Sequence, residues 1–404
     1  MKIALVSDFF LDFVGGAQSS IHEQKASLED AGHQVLLVAA ARLNWATPLR
    51  ATAEGLRIRP WFTARGFEFP IIRSRPRLVG ILRDYFQHNG VEIVHVQTEF
   101  GLAHAAAAAA RELGIPVVHT VHTFYWQTAG WWQSPLAPLL RRSLEEVTGR
   151  RLPRQQLSDR ASDNLLRNLT LNMALRVDSV ISPSAHQADD LRAAGVSIPV
   201  HVIPNPIARH TRPPMVLTAE RASRPRLLWV ARCVMEKRPL VFAQAAIEAL
   251  SRTANGFEVD FVGDGSELAT LRQLTDGNPH IQVHGMLPHD DVLDLIDASS
   301  IVALTSVDFD NQPMTIAEAV SRYRGVLYCD PKLSEGLQRA GYQSESVDSH
   351  GLADAIVHLV SSPERLVALS AGAQLDSEVF SAQSYVSSVV GVYSSVKWSN
   401  ASVL

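Results

Sequence analysis

The chain has 404 residues, of which 46% are hydrophobic and 19% are charged, a composition typical of globular rather than disordered proteins. This length allows two domains of ordinary size, each with its own core. The formal net charge of -4 argues against a protein that binds nucleic acid over a broad surface.

Cysteine usage and hydropathy indicate an intracellular protein. The two cysteines, Cys233 and Cys329, lie far apart and without metal-ligand spacing, which argues against a disulfide framework or a zinc site. No apolar run reaches the roughly 18 residues of a membrane-spanning helix. The first apolar stretch meets Asp8 and Asp12 too soon for a signal peptide. We therefore expect a cytoplasmic location.

In chain order, the first half alternates short apolar runs with helix-like segments such as 17–31 and 102–113. The apolar runs are 2–8, 33–39, 91–97, 116–122, 179–184 and 200–205. Because they are continuous rather than alternating, they indicate parallel strands covered on both faces. The pattern predicts βαβ winding.

The same rhythm restarts after a polar, proline-bearing stretch, 208–225, which predicts a linker. The later apolar runs are 226–231, 259–264, 281–286, 301–306 and 325–330. The simplest account is an α/β protein with two Rossmann-like, doubly wound domains, 1–207 and 208–380, facing a cleft. Ligands of such sheets bind beyond the carboxyl ends of the strands.

Two segments, 61–77 and 124–160, break this rhythm by combining aromatic residues with arginines. The first 200 residues carry 21 Lys and Arg against 18 Asp and Glu. Aromatic side chains near a basic run suit a membrane interface or a lipid acceptor, so we predict peripheral contact with the inner membrane leaflet. A mobile lid, interdomain packing and ordinary solvated surface are the open alternatives.

Three strand ends carry candidate binding residues. Gly15 and Gly16 close the loop after the first strand, where glycine lets the backbone approach a ligand and the next helix N-terminus favours an anion. Arg232 and Lys237 follow the strand at 226–231, where two cations can clamp a diphosphate. Ordinary turn glycines and solvated loop cations are the alternatives.

The third strand end carries Asp310 in the loop and Glu318 about one turn into the following helix. Both carboxylates can face a ligand at the helix mouth, where the free amides of the first turn point. Carboxylates also accept hydrogen bonds from sugar hydroxyls. Local capping or pairing by Glu318 is the alternative.

Taken together, these sites resemble the retaining glycosyltransferases of family four, which have the GT-B fold. The resemblance covers nearly the whole chain, through the Gly15-Gly16 loop, VEIVHVQTEFGLA (91–103), VHTVHTFY (118–125), SPSAHQADDL (182–191), VIPNPI (202–207), VGDGSEL (262–268) and HGMLPHDDV (284–292). TEFGLA and HTFY are similar to members that glycosylate lipids, including bacterial glycosyl- and mannosyltransferases.

The resemblance implies a role for each matching position. The two glycines would lie against the donor, and Arg232 and Lys237 would hold its diphosphate. Met286 would lie near the nucleobase, Glu318 would contact the ribose, and His122 would approach an outer sugar hydroxyl. The neighbouring His119 is predicted to be buried in the strand. The donor sugar would be held by Asp310, Asn311, Gln312, Pro313, Met314 and Thr315.

The implied reaction moves glucose or mannose from UDP-glucose or GDP-mannose to a lipid or glycan acceptor, with retention. No metal or other cofactor is expected, because a DFD metal motif, here 308–310, belongs to a single-domain glycosyltransferase fold. The architecture also implies that a C-terminal helix, 381–404, returns to brace the first domain. Nucleic acid is not an expected partner.

Two departures from the family pattern qualify these expectations. The first acidic position, usually glutamate, is Asp310, and Asp308 is an alternative out of register. The usual Gly-Leu-Pro after the helix is replaced by Tyr323-Arg324-Gly325, a turn expected to be reshaped. A catalytically impaired nucleotide-sugar-binding protein is therefore the main rival, and an epimerase or phosphorylase of the same architecture is the other.

Overall fold

The computed structural model describes residues 1–12, 16–42, 50–52, 55–64, 69–122, 136–207, 212–254 and 256–401. The chain divides into two compact units. The first comprises Met1–Pro206 with the C-terminal Ala382–Leu404, and the second comprises Ile207–Ser381. None of the described helices is both long and apolar enough to cross a membrane.

The elements before the second unit are β1 (Lys2–Phe10), α1 (Gly16–Asp30), β2 (Gln34–Ala40), β3 (Arg50–Thr52), β4 (Gly55–Ile58), β5 (Phe62–Ala64), β6 (Phe69–Ile71), α2 (Pro76–Asn89), β7 (Ile93–Val96), α3 (Gly101–Glu112), β8 (Val117–Thr120), α4 (Ala137–Thr148), α5 (Ala161–Ala174), β9 (Ser179–Ser182), α6 (Ala185–Ala193) and β10 (Val200–Val202). The second unit contains α7 (Ala219–Ala222), β11 (Arg226–Val230), α8 (Pro239–Arg252), β12 (Glu258–Val262), α9 (Leu268–Thr275), β13 (Ile281–Gly285), α10 (His289–Ala298), β14 (Ile301–Leu304), α11 (Met314–Ser321), β15 (Gly325–Tyr328), β16 (Gly341–Gln343), α12 (Ser349–Val360) and α13 (Pro363–Asp376). The chain then returns to the first unit as α14 (Ala382–Ala401).

The first unit is an eight-stranded sheet in the order β10-β9-β8-β7-β1-β2-β4-β3, parallel except for the β3–β4 pair. Alternate residues of β1 enter different cores. Ala4 and Val6 pack with apolar side chains of α2 and α3, whereas Ile3 and Leu5 pack with those of α1 and α14. Both faces of the sheet are therefore covered, as its continuous apolar runs predict.

The C-terminal helix α14 completes one of these two faces. Tyr385, Val389 and Tyr393 are buried and join the cluster that contains Ile3 and Leu5. Without α14 the apolar residues on this face of β1 would be less covered, because α1 is the other helix that contributes to the cluster. The first unit is therefore built from both ends of the chain.

The second unit is an all-parallel, six-stranded sheet in the order β13-β12-β11-β14-β15-β16. This is the Rossmann order 3-2-1-4-5-6, and its winding direction reverses between β11 and β14. Trp229 and Leu228, neighbours on β11, enter different clusters on the two faces. The α/β, doubly wound fold expected for both units is confirmed.

The stretch predicted as a linker, 208–225, is only partly one. Its described residues, 212–225, belong to the second unit and include α7. Leu217 and Ala222 are buried in the same cluster as Trp229. These two apolar residues hold a locally polar segment against the domain, which composition alone does not reveal.

A buried arginine, Arg324, binds this segment at the amino edge of the second sheet. Arg324 is 1% exposed, and its guanidinium donates hydrogen bonds to the carbonyls of Asp297, Ser299 and Met215 at 2.7–2.9 Å. Burial is the main cause that lowers the Arg324 pKa to about 10. The unusual Tyr323-Arg324-Gly325 turn, in which Tyr323 has a φ of 57°, therefore has a structural role. It precedes β15 and so lies at the edge opposite the carboxyl ends.

We predict that Arg324→Met lowers the free energy of unfolding by about 3 kcal/mol, because several buried carbonyls lose their donor. Equilibrium unfolding in urea measures this change. The matched control is Arg221→Met, since the exposed Arg221 donates to the same carbonyl of Asp297. Equal midpoint shifts for the two variants would contradict the assignment.

Candidate functional site

The carboxyl edge of the second sheet collects the residues predicted to bind the donor in this unit. Arg232 and Lys237 follow β11, Met286 follows β13, and Asp310 follows β14. Because all strands of this sheet are parallel, these loops emerge at one edge. That edge includes the β11–β14 switch point, where ligands of such sheets bind.

Lys237 and Asp310 form the central ion pair of this edge. The Lys237 ammonium donates to one carboxylate oxygen of Asp310, and the Ser306 hydroxyl donates to the other. The two charged side chains are only 13% and 12% exposed. The Lys237 nitrogen also lies 5.1 Å from the centroid of the Phe309 ring. The predicted cation and the predicted acid are therefore held together.

Buried hydrogen bonds position the turn that carries Lys237. The Thr305 hydroxyl accepts from the Trp229 indole at 2.9 Å and donates to the Lys237 carbonyl at 2.7 Å. Arg238, with a φ of 57°, donates to the Thr305 carbonyl at 3.1 Å. Sequence reasoning missed Thr305 and Ser306, although two hydroxyl residues ending an apolar strand were a visible signal.

Two glycines shape the loop that carries Arg232. A Cβ on Gly263 would lie 1.8 Å from the Ala231 carbonyl oxygen, and one on Gly265 would lie 2.4 Å from the Cys233 carbonyl oxygen. Both positions also have positive φ, at 138° and 157°. The loop after β12 therefore packs directly on the backbone beside Arg232, whose side chain is exposed.

The first turn of α11 adds backbone donors to the same edge. The helix begins at Met314 after its N-cap residue Pro313, whose side chain makes no capping hydrogen bond. Thr315 donates to the Val230 carbonyl at 3.1 Å, which ties the helix start to the end of β11. Asn311 and Gln312, in the loop before the helix, are half-buried.

Glu318 and Met286 occupy different environments near this helix. The Glu318 carboxylate is 16% exposed and lies 3.9 Å from Nδ1 of His289. Met286 is 75% exposed, so its thioether is available for contact with a planar ligand. The pairing of Glu318 with His289 was not predicted.

Asp308 and Asp310 have different ion-pair partners. Asp308 has a φ of 54°, and its carboxylate pairs with Lys332 at 2.6 Å. Its amide donates to Asp330 at 2.7 Å. Asp310 is therefore the member of the acidic run that pairs with Lys237.

In the first unit, His122 follows β8 at the carboxyl edge of that sheet. Its Nε2 atom lies 2.8 Å from Oε1 of Gln97. Burial lowers the pKa of His122 to about 4, so the ring is neutral near pH 7. Gly16 is the exposed first residue of α1, and Gly15 lies outside the described residues.

Asp8 is a buried acid at this edge that received no predicted role. Its carboxylate accepts from the Thr98 hydroxyl at 2.7 Å and from the amides of Leu102 and Ala103 at 2.7 and 3.1 Å. Burial raises its pKa to about 6, although these three donors oppose the shift. The carboxylate thus caps α3 and ties that helix to β1.

An apolar groove of about 650 Å³ lies beside α2, within the segment predicted to contact membranes. Its lining combines Trp61 and four aliphatic side chains with arginines; the charged members are Arg59, Arg73, Arg75 and Arg77. The Arg73 guanidinium stacks 3.4 Å from the ring of Trp61, which is 64% exposed. Glu146 pairs with two of the arginines, so positive charge predominates.

The other predicted membrane segment, 124–160, is described from residue 136 onward, and its tryptophans lie outside the described residues. Leu136, Leu139 and Leu140, at the start of α4, are each more than 40% exposed. Three exposed leucines within five residues form a small apolar patch, which is unusual for solvated surface.

Comparison with protein families agrees with this architecture. Residues 14–210 match the model described as Glycosyltransferase Family 4, and residues 224–362 match the model described as Glycosyl transferases group 1. The two models together cover most of the chain, which is a glycosyltransferase of the family-four type.

Named relatives of this chain are distant. A GDP-mannose-dependent alpha-mannosyltransferase from Mycolicibacterium smegmatis is 29% identical over 33% of this chain, and the match spans only 35% of that relative. An alpha-monoglucosyldiacylglycerol synthase from Acholeplasma laidlawii is 21% identical over 97% of this chain and 96% of its own length. A crystal structure of Anabaena HepE with UDP covers 98% of this chain and 100% of its own, with a TM-score of 0.65 and 16% identity. The similarity to the HepE structure supports the GT-B fold.

The predicted burial of His119 is confirmed, and neither of its ring nitrogens has a hydrogen-bond partner among the described residues. Burial holds its pKa well below 6.5. The unfolded chain therefore binds a proton that the folded chain excludes once the pH drops below about 6.5. Stability is thus lost on acidification.

We predict that His119→Leu raises stability at pH 5 relative to the wild type. Below pH 6.5 the free energy of unfolding should fall less steeply with decreasing pH in the variant than in the wild type. The two slopes should differ by about 1.4 kcal/mol per pH unit, because one proton that is coupled to unfolding is removed. Urea unfolding at several pH values measures this slope. The same two proteins at pH 8 provide the control for packing effects, and identical slopes in acid would refute the prediction.

Proposed function

We propose that this glycosyltransferase moves a hexose from a nucleoside diphosphate sugar to a hydroxyl of a membrane glycolipid or cell-envelope glycan precursor, with retention of configuration. The observation that carries the proposal is the Lys237–Asp310 pair at the β11–β14 switch point of the second unit. The names of the mannosyltransferase and glucosyldiacylglycerol synthase relatives support a hexose donor and a lipid acceptor.

In this proposal the second unit holds the donor. Arg232 and Lys237 neutralise the diphosphate, and the first amides of α11 add uncharged donors. Asp310 and its neighbours in the loop bind the sugar, Glu318 binds the ribose, and Met286 lies against the base. The UDP complex of HepE supports nucleotide binding on this fold.

The proposed chemistry needs no protein nucleophile. As the glycosidic bond to the diphosphate breaks, the acceptor oxygen attacks the anomeric carbon from the same face. The acceptor proton passes to the departing phosphate oxygen, so charge and atoms balance. The protein supplies position and stabilises the charge on the leaving group.

We propose that this reaction is metal-independent. Both acids of the run 308–310 have lysine partners, because Asp308 pairs with Lys332 and Asp310 with Lys237. The charge that a divalent cation would neutralise on the diphosphate is met instead by Arg232 and Lys237. Full transfer in the presence of a chelator is the expected result.

We also propose that the first unit contacts an anionic lipid surface at the cytoplasmic face of the membrane. The arginine-lined groove and the exposed Trp61 support this, since basic and aromatic side chains together bind anionic interfaces. The free, buried Cys233 and Cys329 are compatible with a reducing compartment.

We predict that Lys237→Ala lowers kcat/KM about 100-fold or more, because the leaving diphosphate loses a preorganised cation. The assay incubates the protein with radiolabelled sugar nucleotides and a membrane lipid extract, and counts label in the organic phase. The control is Lys332→Ala, which removes the lysine paired with Asp308 and should retain activity.

The outcomes of this assay separate the candidate functions. Donor-dependent label in lipid supports the proposal, and NMR of the product determines whether the anomeric configuration is kept. Slow hydrolysis of one donor without lipid labelling would remove the lipid acceptor. Donor binding without turnover would favour the impaired sugar-nucleotide-binding protein, and near-normal turnover by Lys237→Ala would overturn the role of that lysine.

We predict that Arg77→Glu weakens binding to phosphatidylglycerol vesicles about tenfold, because a basic residue near an anionic surface is replaced by an acid. Cosedimentation measures binding, with phosphatidylcholine vesicles as the uncharged comparison. The control is Arg83→Glu on the same helix, whose arginine is already paired with Asp84. Equal losses for both variants would show that only net charge matters and would contradict a specific surface.

A further inference from the structure

A buried chain of hydrogen bonds connects α14 to His122. The Tyr385 hydroxyl donates to Oε1 of Gln24 at 2.9 Å, and Nε2 of Gln97 donates to the same oxygen at 3.0 Å. The Oε1 atom of Gln97 lies 2.8 Å from Nε2 of His122. Tyr385, Gln24 and Gln97 are each at most 3% exposed. We call these three residues the Tyr385 relay.

Further bonds orient the first amide of the relay. Nε2 of Gln24 donates to the Ser20 hydroxyl at 3.0 Å and to Oδ1 of Asn205 at 3.2 Å. Oε1 of Gln24 must therefore face Tyr385 and Gln97. Burial raises the pKa of Tyr385 well above 10, so its hydroxyl keeps the proton that it donates.

The orientation of Gln24 determines that of Gln97. Because Gln97 uses its NH₂ group toward Gln24, its carbonyl oxygen faces His122. An amide oxygen only accepts hydrogen bonds, so the proton of the neutral imidazole must be on Nε2. Nδ1 then keeps its lone pair and can accept a hydrogen bond from a hydroxyl.

We infer that Tyr385, Gln24 and Gln97 are positioning residues that hold His122 as the Nε2–H tautomer, so that Nδ1 serves as the acceptor for a hydroxyl of the transferred sugar. The role toward the sugar rests on the proposed function. The tautomer and its cause rest on the hydrogen bonds within the first unit. The group that hydrogen-bonds one ring nitrogen of a histidine generally selects its tautomer in this way.

Through the Tyr385 relay, α14 contributes to the orientation of His122. Tyr385 is the fourth residue of α14, which begins directly after the second unit ends at Ser381. Gln24 lies 361 residues earlier in the sequence. A residue outside the sheet and its loops thus orients a side chain at the sheet's carboxyl edge.

The matched variants are Tyr385→Phe and Tyr393→Phe, each of which removes one buried hydroxyl from α14. The Tyr393 hydroxyl bonds to Nδ1 of His95 at 2.7 Å and does not join the relay. We expect Tyr385→Phe to lower kcat about fivefold to tenfold, because Gln24 loses one of the hydrogen bonds that hold its orientation and, through it, that of Gln97. The KM for the donor should change less than about twofold, and Tyr393→Phe should keep kcat.

The tautomer is measured directly by ¹⁵N NMR of the histidine rings at pH 7, with His122→Gln identifying the signal. The wild type should show Nε2–H, and Tyr385→Phe should show a mixture of tautomers. An Nδ1–H ring in the wild type, or equal kcat losses in the two variants, would overturn the inference. If no donor is turned over, the proposed function fails, while the NMR result still decides the relay.

Discussion

A parallel sheet covered by helices on both faces has room for polar chemistry only at the ends of its strands. The eight-stranded and the six-stranded sheet are both covered in this way, because neighbouring residues of β1 and β11 enter cores on opposite faces. The polar residues with candidate roles follow the strands, as Lys237 and Asp310 do in the second unit and His122 does in the first. Loop chemistry is therefore concentrated at two carboxyl edges.

Polar side chains at such an edge need hydrogen-bond partners in the folded protein before they can also bind a ligand. Asp310 receives donors from Lys237 and Ser306, and Gln97 links His122 to buried amides. Unsatisfied polar groups in these positions would cost free energy in every folded molecule. His119, two residues before the strand-end loop begins, shows the contrast, because neither ring nitrogen has a partner within the part of the chain that the structure describes. Its expected effect is loss of stability in acid.

The fold places the two departures from the family pattern at opposite edges of the second sheet. The Tyr323-Arg324-Gly325 turn lies at the amino edge, where Arg324 bonds to carbonyls of α10 and of the segment before α7. It lies at the edge of the sheet opposite the loops that we propose to bind the donor. The Asp310 departure, in contrast, lies at the carboxyl edge and pairs with Lys237. Donor specificity is therefore better sought at Asp310 than at the turn.

The sequence by itself determined the strand runs of the parallel sheets and the residues at their ends, because continuous apolar runs and the polar residues that follow them are local patterns. From these, Arg232, Lys237 and Asp310 could be selected, whereas His122 was indicated by the resemblance to family four. The short strands β3–β6 were not predicted, because they lack the longer continuous apolar runs that indicated the other strands of the first unit. Their pairing depends on neighbours rather than on a periodic pattern.

Only the tertiary structure decided which side chains meet. Tyr385 bonds to Gln24 across 361 residues, and Trp229 bonds to Thr305 across 76. The pairing of Asp310 rather than Asp308 with Lys237, and the hydrogen bonds of Arg324 to carbonyls from distant segments, were likewise visible only in the structure. Such contacts have no local signature, because they arise where packing brings separate strand ends and helices together.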